Sequence, residues 1–464
     1  MPAPPVVILM TSNGVGMGHL SRQLTTALSG PRRMDAVVFS LSGALPRVAA
    51  ADRSGELPGA RERRIRYEYC PSRESGWLPP AGWRRALRTR YRSYRWHHYL
   101  RDRLVSLAAE TGASAVVFDG VVPYAGLLEA RELMPEVGFA WMRRGMWRPQ
   151  APSAQLAVSG RFDLVVQPGD LGGAADRGPL AGRTDAERVP PVSLTDVLPA
   201  STRQEARAAL GLPQDRPVLL LAPGSGALGS VEETAGQVRE VLAARGPEWV
   251  VAVTRQAIAR HAVGGGERHG RGARVVVLDD VYPLARHLAA FDAAVGAAGY
   301  NSVHELLSAG VPTLLVPSVH HVTDDQEARA AGVCARGAAL VPGTHGLEPA
   351  VARLLDPQVR EELREACAGL EAPTGGRETA DLVVDLAGRS RHTEQPVLRP
   401  QPGRPVPDAR TPVGPRAGAE LRFTSEVSVA DVRGPDPVEH LLPGSSQVYR
   451  TAREREAGWL YRRT

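Results

Sequence analysis

The chain has 464 residues with 43% hydrophobic and 23% charged composition, enough for two to four domains with cores of their own and unlike a fibre or a disulfide scaffold. All 56 basic residues are Arg and none is Lys, which excludes a Walker-A lysine, a kinase strand lysine, a pyridoxal-phosphate Schiff base and every other lysine mechanism. The net charge of +6 is local: Trp83 to Arg103 holds eight Arg against one Asp, leaving the rest of the chain nearly neutral. The start, Met1-Pro2-Ala3-Pro4-Pro5, carries no charged n-region, and no apolar run approaches the roughly 18 residues of a membrane span, so the sequence reads as cytoplasmic.

Short β-rich apolar runs then alternate with helical stretches. Val6 to Thr11, Ala36 to Phe39, Ala115 to Phe118, Gly138 to Met142 and Leu164 to Val166 read as buried parallel strands of one α/β domain. After the first strand comes Ser12-Asn13-Gly14-Val15-Gly16-Met17-Gly18-His19-Leu20-Ser21-Arg22. Gly14, Gly16 and Gly18 let a ligand approach the backbone, and the following helix offers its N-terminal N–H groups to an anion. His19 stands where that helix begins, and an imidazole there is a usable general base once a carboxylate orients it. Asp119, at the carboxyl end of a parallel strand, is placed to do so. Its alternative is a helix cap. Between these elements the Arg-rich segment also carries Trp83, Tyr91, Tyr94, Trp96 and Tyr99. Trp96, Leu100, Leu104 and Leu107 share one helical face suited to the core, while Leu87, Tyr91 and Tyr94 share another. With its arginines that second face fits an anionic surface, a bilayer before a nucleic acid, since no nucleic-acid-binding motif accompanies it.

Loop-like sequence from Pro168 to Pro199 precedes a second alternating series: Val218 to Ala222, Trp249 to Val253, Arg274 to Leu278, Ala293 to Gly296 and Thr313 to Val316. Gly224-Ser225-Gly226-Ala227-Leu228-Gly229 follows its first strand and matches a dinucleotide loop, but the next strand ends at Thr254-Arg255 without a ribose-binding acid, which leaves only an NADP-type oxidoreductase as that alternative. Then come Gly299-Tyr300-Asn301-Ser302-Val303-His304-Glu305, Gly310-Val311-Pro312 and Asp324-Asp325-Gln326. Gly299 permits close approach, Asn301 and Ser302 offer hydrogen bonds to a diphosphate at a helix N-terminus, Glu305 one turn on can accept two ribose hydroxyls, and Asp325 and Gln326 suit sugar hydroxyls. A structural account would make Asn301, Ser302 and Asp325 helix caps. Cys70, Cys334 and Cys367 lack ligand spacing and read as inert thiols. His320, His321, Asp324 and Asp325 show no second-shell logic for a metal, and the chain contains no Asp-x-Asp, so no metal is expected.

These motifs resemble the donor-binding signature of GT-B glycosyltransferases, as in secondary-product glycosyltransferases and the peptidoglycan N-acetylglucosaminyltransferase. The resemblance implies diphosphate contacts from Gly224, Ser225, Gly226, Gly299, Asn301 and Ser302, ribose contact from Glu305, and donor-sugar contacts from Asp325 and Gln326. It also implies that His19 deprotonates the acceptor with help from Asp119. The box departs from relatives at Ala297, Val281 and Leu284, where they carry a phosphate-contacting histidine and base-recognising residues.

The expected fold is α/β of GT-B type, two Rossmann-like domains facing across a cleft plus a Pro-rich C-terminal extension. The acceptor-side domain spans 1–195, the donor-binding domain 196–390, a linker 391–418 with seven Pro between Glu394 and Gly418, and a tail of unassigned role 419–464. The expected activity is inverting transfer from a nucleoside-diphosphate sugar, UDP type, to a lipid-linked or small-molecule acceptor. The sugar is a co-substrate, so no cofactor is expected. Placement is cytoplasmic with peripheral contact at the inner face of an anionic membrane. A nucleotide-sugar hydrolase, a UDP-sugar 2-epimerase and a non-catalytic sugar-binding protein remain as alternatives.

Overall fold

The computed structural model describes residues 3–390 except 13–16, 31–33, 61–62, 73–84, 223–230, 256–273 and the single positions 280, 320 and 345. The linker and tail expected over 391–464 lie outside the described residues.

The first sheet holds seven parallel strands: β1 (Val6–Thr11), β2 (Asp35–Ser40), β3 (Arg66–Tyr69), β4 (Ala115–Asp119), β5 (Gly138–Met142), β6 (Leu164–Pro168) and β7 (Glu187–Val189). Its helices are α1 (Gly18–Leu28), α2 (Leu45–Ser54), α3 (Arg85–Thr111) and α4 (Ala125–Leu133). The order β3-β2-β1-β4-β5-β6-β7 reverses direction between β1 and β4, which opens a crevice at their carboxyl ends. The central strands are apolar on both faces because helices cover both. On one face Ile8, Met10, Val116 and Phe118 pack with Trp96, Leu100, Leu104 and Leu107 of α3, a stripe at helical spacing whose members are at most 2% exposed.

The second sheet has five parallel strands, β8 (Val218–Ala222), β9 (Val250–Arg255), β10 (Arg274–Asp279), β11 (Ala293–Ala297) and β12 (Thr313–Val316), in the order β10-β9-β8-β11-β12. Around it lie α5 (Arg203–Ala209), α6 (Val231–Arg245), α7 (Tyr300–Ser308), α8 (Gln326–Ala335), α9 (Leu347–Leu355) and α10 (Pro357–Ala368). Here the order reverses between β8 and β11, so the loop entering α7 stands at the second switch point.

The last helix, α11 (Gly375–Ser390), returns to the first sheet, where Ala380, Val383, Leu386 and Ala387 pack on Val7, Leu9, Ala115 and Val117. The span 196–390 is thus continuous in sequence but divided in packing. The return crosses the chain that enters the second domain: Gly375 N–H donates to Pro191 O at 3.0 Å, and a Cβ on Gly375 would stand 1.9 Å from Pro190 O. The two domains also meet through a short antiparallel bridge, in which Arg148 N–H donates to Thr323 O at 2.7 Å and Asp325 N–H to Met146 O at 2.8 Å. Beside it the loop after β6 lies directly on α8. A Cβ on Gly332 would stand 2.4 Å from Gly172 O, so only glycine allows that approach.

Candidate functional site

At the first switch point His19 is the second residue of α1 and Asp119 the last of β4, opposite Thr11 of β1. His19 Nδ1 lies 2.7 Å from Asp119 Oδ1. Two lone pairs do not approach so closely, so the network puts the proton on Nδ1, donating to the carboxylate, and leaves the lone pair on Nε2. Arg22, three residues along the same helical face, grips the same carboxylate: Nε donates to Oδ2 at 2.9 Å and Nη2 to Oδ1 at 2.7 Å. Nη2 also stands 2.9 Å from His19 Nδ1. Burial is the largest influence on His19 and lowers its pKa; Asp119 opposes this, while Arg22 and Arg144 add to it. Burial alone would raise Asp119, but the charge of Arg22 and the hydrogen bonds from His19 and Arg22 hold its carboxyl below the usual range. The site therefore holds a neutral imidazole beside an ionised carboxylate.

At the second switch point Gly299 caps α7, and Asn301 and Ser302 in its first turn are partly exposed. Helix N–H groups there are left for an anion or water. Arg22 joins the two switch points, its Nη1 donating to Asn301 Oδ1 at 3.3 Å. Gly18 faces the same amide, 3.6 Å from Asn301 Oδ1 to the position of an added Cβ. Between them Tyr300 is pinned, its hydroxyl donating to Gly169 O and accepting from Val192 N–H, each at 3.0 Å. The guanidiniums of Arg22, Arg144 and Arg329 lie 5.1, 5.9 and 6.0 Å from its ring centroid. His304 stacks on that ring with centroids 4.0 Å apart, accepts from Leu171 N–H at Nε2 and donates from Nδ1 to Tyr300 O. Burial takes its pKa down to about 4, so it serves as a neutral packing histidine.

The other expected residues fall around this point. Glu305 lies in the next turn of α7, where burial pushes its carboxyl up to about 7. Asp325 caps α8, its Oδ1 accepting from Ala328 N–H at 3.0 Å. The Gln326 amide accepts from Ser318 N–H at 3.0 Å and donates to Asp324 at 3.3 Å, with Nε2 3.8 Å from where a Cβ on Gly299 would stand. Gly14, Gly16, Gly224, Ser225, Gly226 and His320 lie outside the described residues. Asp324 is engaged by Arg329 at 2.9 Å and Arg144 at 3.4 Å. Among the described residues no His, Cys, Asp or Glu group is arranged for a metal.

Arg22, Arg144, Tyr300 and Arg329 were not reachable as a set, because they converge from α1, the loop after β5, α7 and α8. Arg22 alone had a signal: its i, i+3 spacing from His19 puts both on one face.

Residues 234–374 match the glycosyltransferase family 28 C-terminal domain. A UDP-N-acetylglucosamine–N-acetylmuramyl-(pentapeptide) pyrophosphoryl-undecaprenol N-acetylglucosamine transferase of Rhodococcus opacus strain B4 is 31% identical over 226 residues, 46% of this chain and 56% of that protein. The chain thus spans about half the length of the curated relatives it matches. Among solved structures, the glycotransferase of kitacinnamycin superposes with a TM-score of 0.52 at 18% identity, covering 83% of this chain and 100% of that one. Phytolacca americana UGT2, complexed with UDP-2fluoro-glucose and pterostilbene, gives 0.54 at 15% identity, with 84% and 100% covered. These solved structures share the GT-B fold with this chain, and residues 234–374 carry the likeness to the family 28 domain. The chain's GT-B architecture is the expected one, with two switch points facing each other across the seam.

Proposed function

We propose that the protein transfers a sugar, with inversion, from a nucleoside-diphosphate sugar to an acceptor hydroxyl or amine. The observation that carries this reading is the His19–Asp119 pair, 2.7 Å apart, standing across the seam from the N-terminus of α7. In this reading the acceptor oxygen or nitrogen attacks the anomeric carbon as Nε2 of His19 takes its proton, and the bond to the diphosphate breaks. Asp119 then faces an imidazolium, and the N–H groups at α7 with the loop at Gly224, Ser225 and Gly226 hold the departing diphosphate. Glu305 accepts the ribose hydroxyls, and Asp325 and Gln326 turn toward the donor sugar.

The name of the Rhodococcus relative supports UDP-N-acetylglucosamine as the first donor to test and a lipid-linked acceptor. Among the described residues no helix is long and apolar enough to cross a membrane. The arginines along α3 would then hold the enzyme at an anionic inner face, each worth about 1 kcal/mol. Sedimentation with anionic but not neutral vesicles at low salt, lost on changing Arg88, Arg92 and Arg95 to Gln, checks that placement.

The activity is tested by incubating the protein with nucleotide sugars, alone and with candidate lipid and small-molecule acceptors, and weighing the products. A transferase is nearly idle on donor alone and releases nucleoside diphosphate in step with glycosylated acceptor. Free sugar released from donor alone would instead establish a hydrolase, and an isomeric nucleotide sugar an epimerase.

A further inference from the structure

Arg22 is placed unlike a structural arginine. It is 1% exposed, holds both oxygens of Asp119, stands 2.9 Å from the imidazole that shares that carboxylate, and reaches Asn301 on the other domain. An arginine has five N–H donors and no acceptor. It therefore cannot accept from Nδ1–H, and both groups converge as donors on Asp119 Oδ1. The imidazole tolerates this contact while neutral and resists it once protonated, because a second cation then faces the guanidinium at that distance.

We propose that Arg22 is a positioning residue for the general base, one that keeps His19 unprotonated until the donor site is filled and carries that information through Asn301. With the seam empty, the guanidinium disfavours the imidazolium. When a diphosphate settles at the N-terminus of α7, its charge faces Asn301 and Arg22 together. The cationic pair is then partly compensated, and His19 accepts the acceptor's proton more readily. The charged groups facing His19 are Asp119 from β4, Arg22 from α1 itself and Arg144 from the loop after β5. The Tyr300 hydroxyl on α7 is engaged elsewhere and stays protonated. The resting half of this proposal stands on the protein alone; the link to the donor rests on the transferase reading.

The test is a pH titration of the His19 side chain by ¹H–¹⁵N correlation NMR on the full chain, with the peak assigned from His19→Asn. Samples are wild type, Arg22→Lys, Arg22→Gln and Asn301→Ala, each with and without saturating UDP. Without UDP, His19 in Arg22→Gln should protonate at higher pH than in wild type, and Arg22→Lys, which keeps the charge, should stay near wild type. In turnover, Arg22→Gln should lose at least about threefold more rate than wild type between pH 8 and pH 6, since removing the cation raises the protonated fraction. A packing role would lower the rate equally at both. An unchanged titration in folded Arg22→Gln would overturn the resting half; if that variant does not fold, a wild-type-like midpoint in Arg22→Lys supports it and a raised one overturns it. UDP should raise the His19 midpoint in wild type and leave it unmoved in Asn301→Ala that binds UDP calorimetrically. An equal rise in both would overturn the link. Failure of wild type to bind UDP would instead strike the transferase reading and leave the resting half to its own measurement.

Discussion

Arg22 and Arg329 are both buried guanidiniums at the seam, 1% and 0% exposed, and both hold carboxylates. Arg329 bridges two carboxylates: Nε donates to Asp170 at 2.7 Å, Nη2 to Asp324 at 2.9 Å and Nη1 to Ala298 O at 3.0 Å. Burial would raise the Asp324 carboxyl, but Arg329 and Arg144 hold it far below the carboxylate range, so Asp324 stays ionised across ordinary pH. The Arg22 cluster has one carboxylate, Asp119, held by two guanidinium nitrogens, and an imidazole shares that carboxylate where the Arg329 cluster has a second one. The Arg329 cluster joins one domain to the other through Asp170. The cluster with an imidazole keeps a lone pair near neutral pH and so can do chemistry.

The largest effect expected from breaking this contrast is on stability. Arg329→Leu leaves Asp170 and Asp324 buried without their main partner and should cost about 3–5 kcal/mol by chemical denaturation. The loss should be larger at high pH, because unpaired buried carboxylates prefer the protonated form and their raised pKa penalises the fold as pH rises through it. A cost under about 1 kcal/mol would show that the cluster is not what holds the domains. His19→Ala should behave oppositely, since Arg22 and Asp119 still neutralise each other. Turnover should fall roughly 10²-fold or more, with stability and UDP affinity nearly intact. Near wild-type turnover at saturating acceptor would remove the general-base role, and an equal loss of UDP affinity would move His19 to phosphate contact.

Much of this contrast was legible in one dimension only where a local pattern carries it. The ten apolar runs all form strands, the central ones because parallel strands there bury both faces and read as continuous hydrophobic stretches, while β10 stands at an edge with Val275 and Val277 exposed. β3 and β7 escaped that rule: Arg66-Tyr67-Glu68-Tyr69 is an exposed edge, and Glu187-Arg188-Val189 is three residues inside a Gly- and Pro-rich stretch. The return of α11 to the first sheet was equally hidden, since its apolar stripe says that it packs but not on which sheet. His19 and Asp119 could be placed together because the helix entered from β1 and the carboxyl end of β4 meet at one switch point. Arg329 could not, because its partners lie 159 and 5 residues away on different elements and no spacing connects them.

The smallest effect tests the donor side of the seam, where Glu305 has a carboxyl pushed up to about 7 by burial. Ribose hydroxyls donating to that carboxyl favour its charged form, so binding a nucleoside diphosphate should expel a proton from Glu305. UDP affinity should then rise with pH from about 6 to about 8 and level off, because below the free-state value part of the binding energy goes into deprotonation. Calorimetry at pH 6.5 in two buffers of different ionisation enthalpy counts that proton. The diphosphate's own second ionisation, near about 6, and the proton taken up at His19 contribute as well, and Glu305→Gln isolates the carboxyl: the variant should lose only the share of Glu305. Glu305→Ala should weaken UDP by about 1.5–3 kcal/mol, the range for losing charge-assisted hydrogen bonds. Identical proton counts in wild type and Glu305→Gln would show that the ribose sits elsewhere, whereas His19→Ala should shift both counts alike, because it removes the proton that His19 takes up when UDP binds.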